Sequence, residues 1–154
     1  MEDFIIRNFE WDKDYGRVLE FQEDLYKTNF PDFIATYAFF KEIEKRLREV
    51  SDRENNRILV AEKNGRVIAY LWVEYQDEKG IRVGTINQLY IVPRWRNQGL
   101  GEILLHKGDD FFRENRVRKI QLHVSASNVA AYKLYKKSGF QPIRVFMEKD
   151  TSLD

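Results

Sequence analysis

Apolar residues recur along this chain with two periods, one suited to helices and one to strands. Phe4, Ile6 and Phe9 form a short apolar opening that reads as a first strand, and Asp12 to Asp14 supply helix-start residues behind it. Val18, Phe21, Gln22 and Leu25 then follow at helical spacing until Thr28 to Pro31 interrupts them. A second helix is predicted from about Asp32 to Val50, with Phe39, Phe40, Ile43 and Leu47 on one stripe and Glu44, Lys45, Arg48 and Glu49 mostly opposite. From Arg57 the period changes. Ile58 to Ala61, the turn signal Asn64-Gly65 and Val67 to Val73 predict an antiparallel hairpin, and Val83 to Val92 predicts a further strand stopped by Pro93. Gly99 to Asn115 reads as a helix, Ile120 to Val124 as a strand, and Asn128 to Ser138 as a helix capped by Gly139. Phe140 to Glu148 supplies a last strand. This order predicts an α/β fold, a mixed sheet with helices on its faces.

No repeat, low-complexity tract or linker divides the chain, so residues 1–154 are expected to form a single domain. With 43% hydrophobic and 14% aromatic residues it has material for a real core, which excludes intrinsic disorder. The net charge of +1 and the absence of a basic stripe argue against a nucleic-acid partner. There is no cysteine, hence no disulfide framework and no thiol nucleophile, and His106 and His123 alone do not suggest a metal site. No membrane-length apolar run is present, and Met1-Glu2-Asp3 lacks a signal peptide's basic start, so a cytoplasmic location without membrane attachment is expected.

Chemistry concentrates in Leu89 to Leu105, where a strand runs through a two-glycine loop into an amphipathic helix. Unpaired N–H groups at such a helix start, aided by the helix dipole, suit an anion, and Arg94 and Arg96 add mobile positive charge. A P-loop would need Lys-Ser or Lys-Thr after the last glycine, but Gly101 is followed by Glu102-Ile103. A dinucleotide fingerprint would need a glycine where Leu104 stands. Two glycines alone are also consistent with nothing more than a tight strand-to-helix turn.

Arg96-Asn97-Gln98-Gly99-Leu100-Gly101, following the strand Leu89 to Pro93, closely resembles the acetyl-coenzyme A loop of the GNAT N-acetyltransferase superfamily. Asn128-Val129-Ala130-Ala131-Tyr132-Lys133-Leu134-Tyr135, followed by Gly139-Phe140, is similar to the second signature of that superfamily. The resemblance runs from about Arg57 to Lys149. It implies a central mixed, mostly antiparallel sheet with helices on both faces, and acetyl-coenzyme A as cosubstrate with no metal. It also implies direct attack of a primary amine on the thioester through a tetrahedral intermediate. In this likeness Leu89, Tyr90 and Ile91 hold the pantetheine and thioester, and Asn97, Gln98, Gly99, Leu100, Gly101 and Glu102 hold the pyrophosphate. Asn128 adds a polar contact, and Tyr135 falls at the place of the thiol-protonating tyrosine.

From spacing alone, Asn128 and Tyr135 share one helix face about 10 Å apart with the small Ala131 between them. Asn128 is equally suited to cap the helix, and Tyr135 to sit in the core with its hydroxyl at the rim. Two candidates stand for the base. Alternation sets Gln121, His123 and Ser125 on one strand face, and an imidazole titrates near neutrality. Glu74, with Asn87 or an ordered water, is the rival. Phe30 or Tyr26 is a candidate lining for an acceptor channel, otherwise core, and Glu23, Asp24, Asp32 and Glu74 would favour a cationic acceptor. The acceptor is expected to be a small-molecule amine or a protein N-terminus or lysine, and the chain a monomer or homodimer. A catalytically idle coenzyme A binding module for regulation is the alternative.

Overall fold

The computed structural model describes residues 3–153, so Met1 and Glu2, on which the N-terminal reading rests, lie outside the described residues. Its elements are β1 (Ile5–Asn8), α1 (Trp11–Asn29), α2 (Tyr37–Ser51), β2 (Asn56–Lys63), β3 (Arg66–Glu78), β4 (Ile81–Ile91), α3 (Leu100–Glu114), β5 (Lys119–Gln121) and α4 (Val129–Lys137). The strands form one sheet in chain order; β1 to β4 are antiparallel, and β5 runs parallel to β4. Both tight hairpins use two residues in the left-handed region, Asn64-Gly65 and Lys79-Gly80. That is the turn whose twist matches paired strands.

Alternation along β3 sorts the core into two layers. Ala69, Leu71 and Val73 pack under α3 with Leu104, Leu105, Phe111 and Phe112, and α4 adds Leu134 and Tyr135 to this layer. Tyr70 and Trp72 face the other way, against Val18 and Phe21 of α1 and Ile43 and Leu47 of α2. The second layer also contains polar side chains that satisfy one another. Gln22, fully buried, donates through Nε2 to Tyr70 Oη at 2.7 Å and exchanges amide hydrogen bonds with Gln88 at 3.1 and 3.0 Å.

Three expectations are corrected. The second helix starts at Tyr37 rather than Asp32, because Thr36 provides the cap, its Oγ accepting from Phe39 N–H at 3.2 Å. Strand β5 stops at Gln121 instead of reaching Val124, because its partner bends away. Residues 140–148 form no strand; only Phe140 keeps core contact, and 141–150 are exposed. Alternation in that segment suggested a strand, but no strand of the sheet pairs with it and it forms none.

Candidate functional site

The site begins where two strands part. β4 and β5 pair at Val83/Lys119, Gly84/Ile120 and Thr85/Gln121, and no further. Beyond Thr85, β4 carries one residue too many. Ile86 faces Val73 and Gln88 faces Trp72, which leaves Asn87 as a bulge that bends the strand away from β5. The Asn87 Nδ2 group is buried with no hydrogen-bond partner among the described residues. Spacing could have revealed the bulge, since Ile86 and Leu89 point to the same layer although three residues apart. Val92 N–H bonds Ile68 C=O at 2.9 Å, so alternation commits the backbone of Tyr90 and Gln88 to β3 and turns that of Leu89 and Ile91 into the gap. Tyr90 thus offers the gap no main-chain group, and its hydroxyl donates to Asp24 at 2.5 Å on the α1 side.

The loop that closes one end of the gap is strained where donors are needed. Asn97 and Gly99 have φ of 61° and 84°, and no side chain caps α3. The first helical bond in α3 is Ile103 N–H to Gly99 C=O at 3.2 Å, so the N–H groups of Leu100, Gly101 and Glu102 have no partner within the helix. Such a turn presents a concave set of donors to an anion. Gln98 braces the loop by donating to Arg94 C=O at 3.1 Å. Two expectations change here. Arg96 is not a mobile charge, since it donates to Ile91 C=O at 2.8 Å and reaches Asp24 at 3.3 Å. Gly101 is small for packing, because a Cβ there would lie 2.9 Å from Leu134 Cδ2 and 3.4 Å from Ile91 Cδ1.

Helix α4 supplies the opposite wall. Asn128 caps it, Oδ1 accepting from Ala131 N–H at 3.2 Å, so this residue's local role is structural. At the other end Gly139 is left-handed, Phe140 N–H bonds Tyr135 C=O at 3.0 Å, and Gly139 N–H bonds Lys136 C=O at 3.1 Å. This closing motif brings the rings of Tyr135 and Phe140 edge to face at 5.8 Å and fixes where the phenol points. Burial pushes the Tyr135 hydroxyl up to about 12, so it stays protonated. It makes no hydrogen bond among the described residues. Glu102 of α3 pairs with Lys137 of α4 at 2.6 Å, so its carboxylate is turned to the neighbouring helix.

The two candidate bases lie on the other face of the sheet from Tyr135. Glu74 follows Tyr70 and Trp72 at period two and is half-buried; Thr85 faces it on β4, and Gln121 faces Thr85 on β5. His123 continues the Gln121 face past the point of separation, exposed and without a hydrogen bond among the described residues. Two strand spacings put Glu74 about 10 Å from that line, so the two do not share a proton directly. Ser125 Oγ donates to Asn29 C=O at 3.3 Å, which ties the loop after His123 to the end of α1. Tyr26 there packs its ring at a tilt 5.3 Å from that of Phe33 and edge to face 4.9 Å from that of Phe39, while Phe30 is exposed. Of the acidic residues expected to greet a cation, Asp24 is taken by Tyr90 and Arg96, and Glu23 by Lys27 at 2.7 Å. Glu74 and Asp32 carry no ion pair among the described residues. His106 is exposed on α3.

No helix among the described residues is long and apolar enough to cross a membrane, and they include no cluster of metal-ligating side chains. The family model described as acetyltransferase (GNAT) family matches residues 19–140. A Bacillus subtilis (strain 168) protein provisionally named a [ribosomal protein bS18]-alanine N-acetyltransferase is 36% identical over 86 residues, covering 54% of this chain and 53% of its own. A mycothiol acetyltransferase from Thermobifida fusca (strain YX) is 28% identical over 95 residues, covering 58% of this chain and 29% of its own. The chain spans about half the length, or less, of several curated relatives it matches. Among solved structures, a predicted acetyltransferase with acetyl-CoA from Clostridium acetobutylicum superposes with a TM-score of 0.81 at 20% identity, covering 99% of both chains. Glucosamine-6-phosphate N-acetyltransferase from Arabidopsis thaliana gives a TM-score of 0.74 at 21% identity, covering 97% of this chain and 99% of its own.

Proposed function

Because the chain belongs to the GNAT acetyltransferase family, we propose that it transfers an acetyl group from acetyl-coenzyme A to a primary amine. The observation that carries the proposal is the parting of β4 and β5. It leaves the main-chain groups of Leu89 and the N–H of Ile91, whose C=O is taken by Arg96, aimed into a slot whose end is the uncapped start of α3. The coenzyme supplies the acetyl group as a thioester. In this reading Leu89 and Ile91 orient the extended arm by hydrogen bonds, while the N–H groups of Leu100, Gly101 and Glu102 hold the pyrophosphate with help from the helix dipole. Asn97, Gln98 and Gly99 shape that turn, and Asn128 sets the start of α4 beside it. The Tyr135 hydroxyl, kept protonated by burial, donates to the departing sulfur.

The amine approaches through the slot from the α1–α2 face, so proton removal falls to a group on that face. His123 is the proposed base, acting directly or through one water, and Glu74 with the unpartnered Asn87 amide is the rival route. The rim there includes Phe30, Ile34 and Tyr37, exposed at 58%, 79% and 78%. Apolar side chains spread over such a width suit a peptide-borne amine better than a small polar one, so a protein N-terminus or lysine is the proposed acceptor.

The experiment is thiol release from acetyl-coenzyme A with peptides and small amines, run beside calorimetry of coenzyme A binding. Amine-dependent release, preferring peptides, is expected. Tight binding with no release for any amine would make the protein a coenzyme A sensor instead. Preference for a small amine would overturn the acceptor assignment alone. A His123→Ala protein should slow by about 10² or more. Normal rates in that protein, with a slow Glu74→Gln protein, would move proton removal to Glu74.

A further inference from the structure

Helix α1 meets the loop before α3 through one stripe of side chains. Arg17, Phe21 and Asp24 fall at i, i+4 and i+7, so they share a face of that helix. Arg17 donates through Nε to Val67 C=O at 3.0 Å and lays its guanidinium 4.7 Å from the centre of the Phe21 ring. The Phe21 ring stacks on that of Tyr90 at 4.6 Å, and the Arg96 guanidinium lies 5.5 Å from the centre of the Tyr90 ring. A ring pair shared by α1 and β4 therefore carries a cation at each ring. Asp24 closes the arrangement at the loop end, where its Oδ2 accepts from Tyr90 Oη at 2.5 Å and from Arg96 Nη2 at 3.3 Å.

The loop needs such an anchor. Asn97, directly after Arg96, holds a φ of 61°, a conformation that is costly for a residue with a Cβ and persists only where its surroundings fix it. Arg96 fixes one side, its N–H bonding Pro93 C=O at 3.2 Å and its Nε holding Ile91 C=O at 2.8 Å. Gln98 fixes the other side by donating to Arg94 C=O at 3.1 Å. These ties stay within residues 91–98. The bond from Arg96 to Asp24 instead reaches 72 positions back along the chain, to a different helix. Burial and the bond to Asp24 push the Tyr90 hydroxyl up to about 12, so it remains a donor and keeps the carboxylate turned toward Arg96.

We propose that Asp24 is a positioning residue for coenzyme binding, acting through Arg96 to fix the turn that presents the N–H groups of Leu100, Gly101 and Glu102. This rests on the acetyltransferase reading, in which those groups hold the pyrophosphate. Charge and position predict opposite signs here. By charge alone, a carboxylate near an anion's cradle is unfavourable, so neutralising it should tighten coenzyme A binding. As a positioning residue, Asp24 keeps the turn formed, and apparent affinity falls with the fraction of molecules in which the turn is formed. Helix α1 also carries Tyr26 and Phe30, so the stripe ties the coenzyme loop to the helix that borders the proposed acceptor rim.

The test is calorimetry of coenzyme A binding to Asp24→Asn, whose amide oxygen still accepts from Tyr90 Oη but offers Arg96 no charge. The side chains of Asp24 and Arg96 are 46% and 42% accessible, and an exposed ion pair is weak, so affinity should fall by only about three- to fivefold at low ionic strength. The melting temperature and kcat at saturating acetyl-coenzyme A should stay nearly unchanged. Arg96→Gln should also weaken binding, and adding Asp24→Asn to it should cost nothing further, because Asp24 acts only through Arg96. Unchanged or tighter binding by Asp24→Asn overturns the proposal. So does a further loss in the double variant, or a kcat that falls as far as the affinity, which would put Asp24 in the chemistry instead. Wild-type protein that binds no coenzyme A would overturn the acetyltransferase reading itself and this proposal with it, so the two failures are told apart.

Discussion

Around β1 and β2, charged side chains are consumed by one another. Arg7 donates to Asp14 at 2.7 and 2.9 Å and to Glu62 at 2.9 Å, and Asp14 also accepts from Glu10 N–H at 2.8 Å while only 1% exposed. Around β4 and β5 the polar groups are left over. Among the described residues the Asn87 amide and the Tyr135 hydroxyl have no hydrogen-bond partner and the first N–H groups of α3 have none within the helix, in a fold that elsewhere satisfies a fully buried glutamine several times. A buried polar group without a partner costs stability, so its persistence on the rim of one slot marks the part of the molecule shaped for a ligand. The saturated half is the scaffold against which that slot is held open.

The contrast predicts that changes in the open half alter turnover and leave stability alone, whereas changes in the saturated half do the reverse. The largest effect is expected for Tyr135→Phe, which keeps the ring against Phe140 and removes the donor. Turnover should fall about 10²- to 10⁴-fold, with coenzyme A affinity and melting temperature nearly unchanged. Because burial holds this hydroxyl up to about 12, the wild-type rate should show no falling limb from Tyr135 over an ordinary alkaline assay range. Equal turnover in the two proteins would return Tyr135 to the core.

Asp14→Asn is the counterpart in the saturated half. It leaves the Arg7 guanidinium short of its buried partner and should destabilise the domain by about 3 kcal/mol in denaturant titration, without changing coenzyme A affinity in the folded protein. The same pair controls acid stability. Burial alone would raise the Asp14 carboxyl, but hydrogen bonds from Arg7 and the Glu10 N–H outweigh it and hold the group below the usual carboxylate range. A depressed group contributes stability that is complete above its unfolded pKa of about 3.9 and is lost as pH falls through the folded value. The wild type should therefore lose stability steeply below about pH 4, and Asp14→Asn less so.

Gln22→Leu should cost about 1–3 kcal/mol by stranding the Tyr70 hydroxyl and the Gln88 amide in a dry layer, again without a direct effect on the loop. A loss of coenzyme affinity as large as the loss of stability would show that the halves are coupled rather than separate.

How far the chain could be read beforehand follows the same division. Hairpins, helices and the coenzyme loop were legible because turn residues, apolar periods and two motifs act locally, as at Asn64-Gly65 and Arg96 to Gly101. The parting of β4 and β5 was not. It depends on a bulge at Asn87 that only the register with Val73 and Trp72 defines. Nor could a motif distinguish a glycine that admits a ligand from one that admits a leucine. Gly99 needs its left-handed backbone, whereas Gly101 makes room for Leu134. Local alternation at 140–148 likewise suggested a strand, but a strand needs a paired neighbour, and none of the sheet's strands lies beside that segment.

The finest test of the contrast repeats the acid-to-amide change in the open half. Glu102 sits in the first turn of α3 and pairs with Lys137 across a solvent-exposed gap, their side chains 40% and 72% accessible. An exposed pair of this kind contributes at most about 1 kcal/mol, so Glu102→Gln should leave stability almost unchanged where Asp14→Asn does not. Its effect on coenzyme A has the opposite sign. The carboxylate stands beside the N–H groups of Leu100 to Glu102, where it stabilises the empty helix start and repels an incoming pyrophosphate. Neutralising it also frees the Lys137 ammonium for that anion. A helix-terminal charge counts for about 0.3–1 kcal/mol, so affinity should rise about two- to fivefold at low ionic strength. Salt should erase most of the gain. Calorimetry showing weaker coenzyme A binding by Glu102→Gln would mean that the salt bridge to Lys137 sets the spacing of α3 and α4, making this corner part of the scaffold.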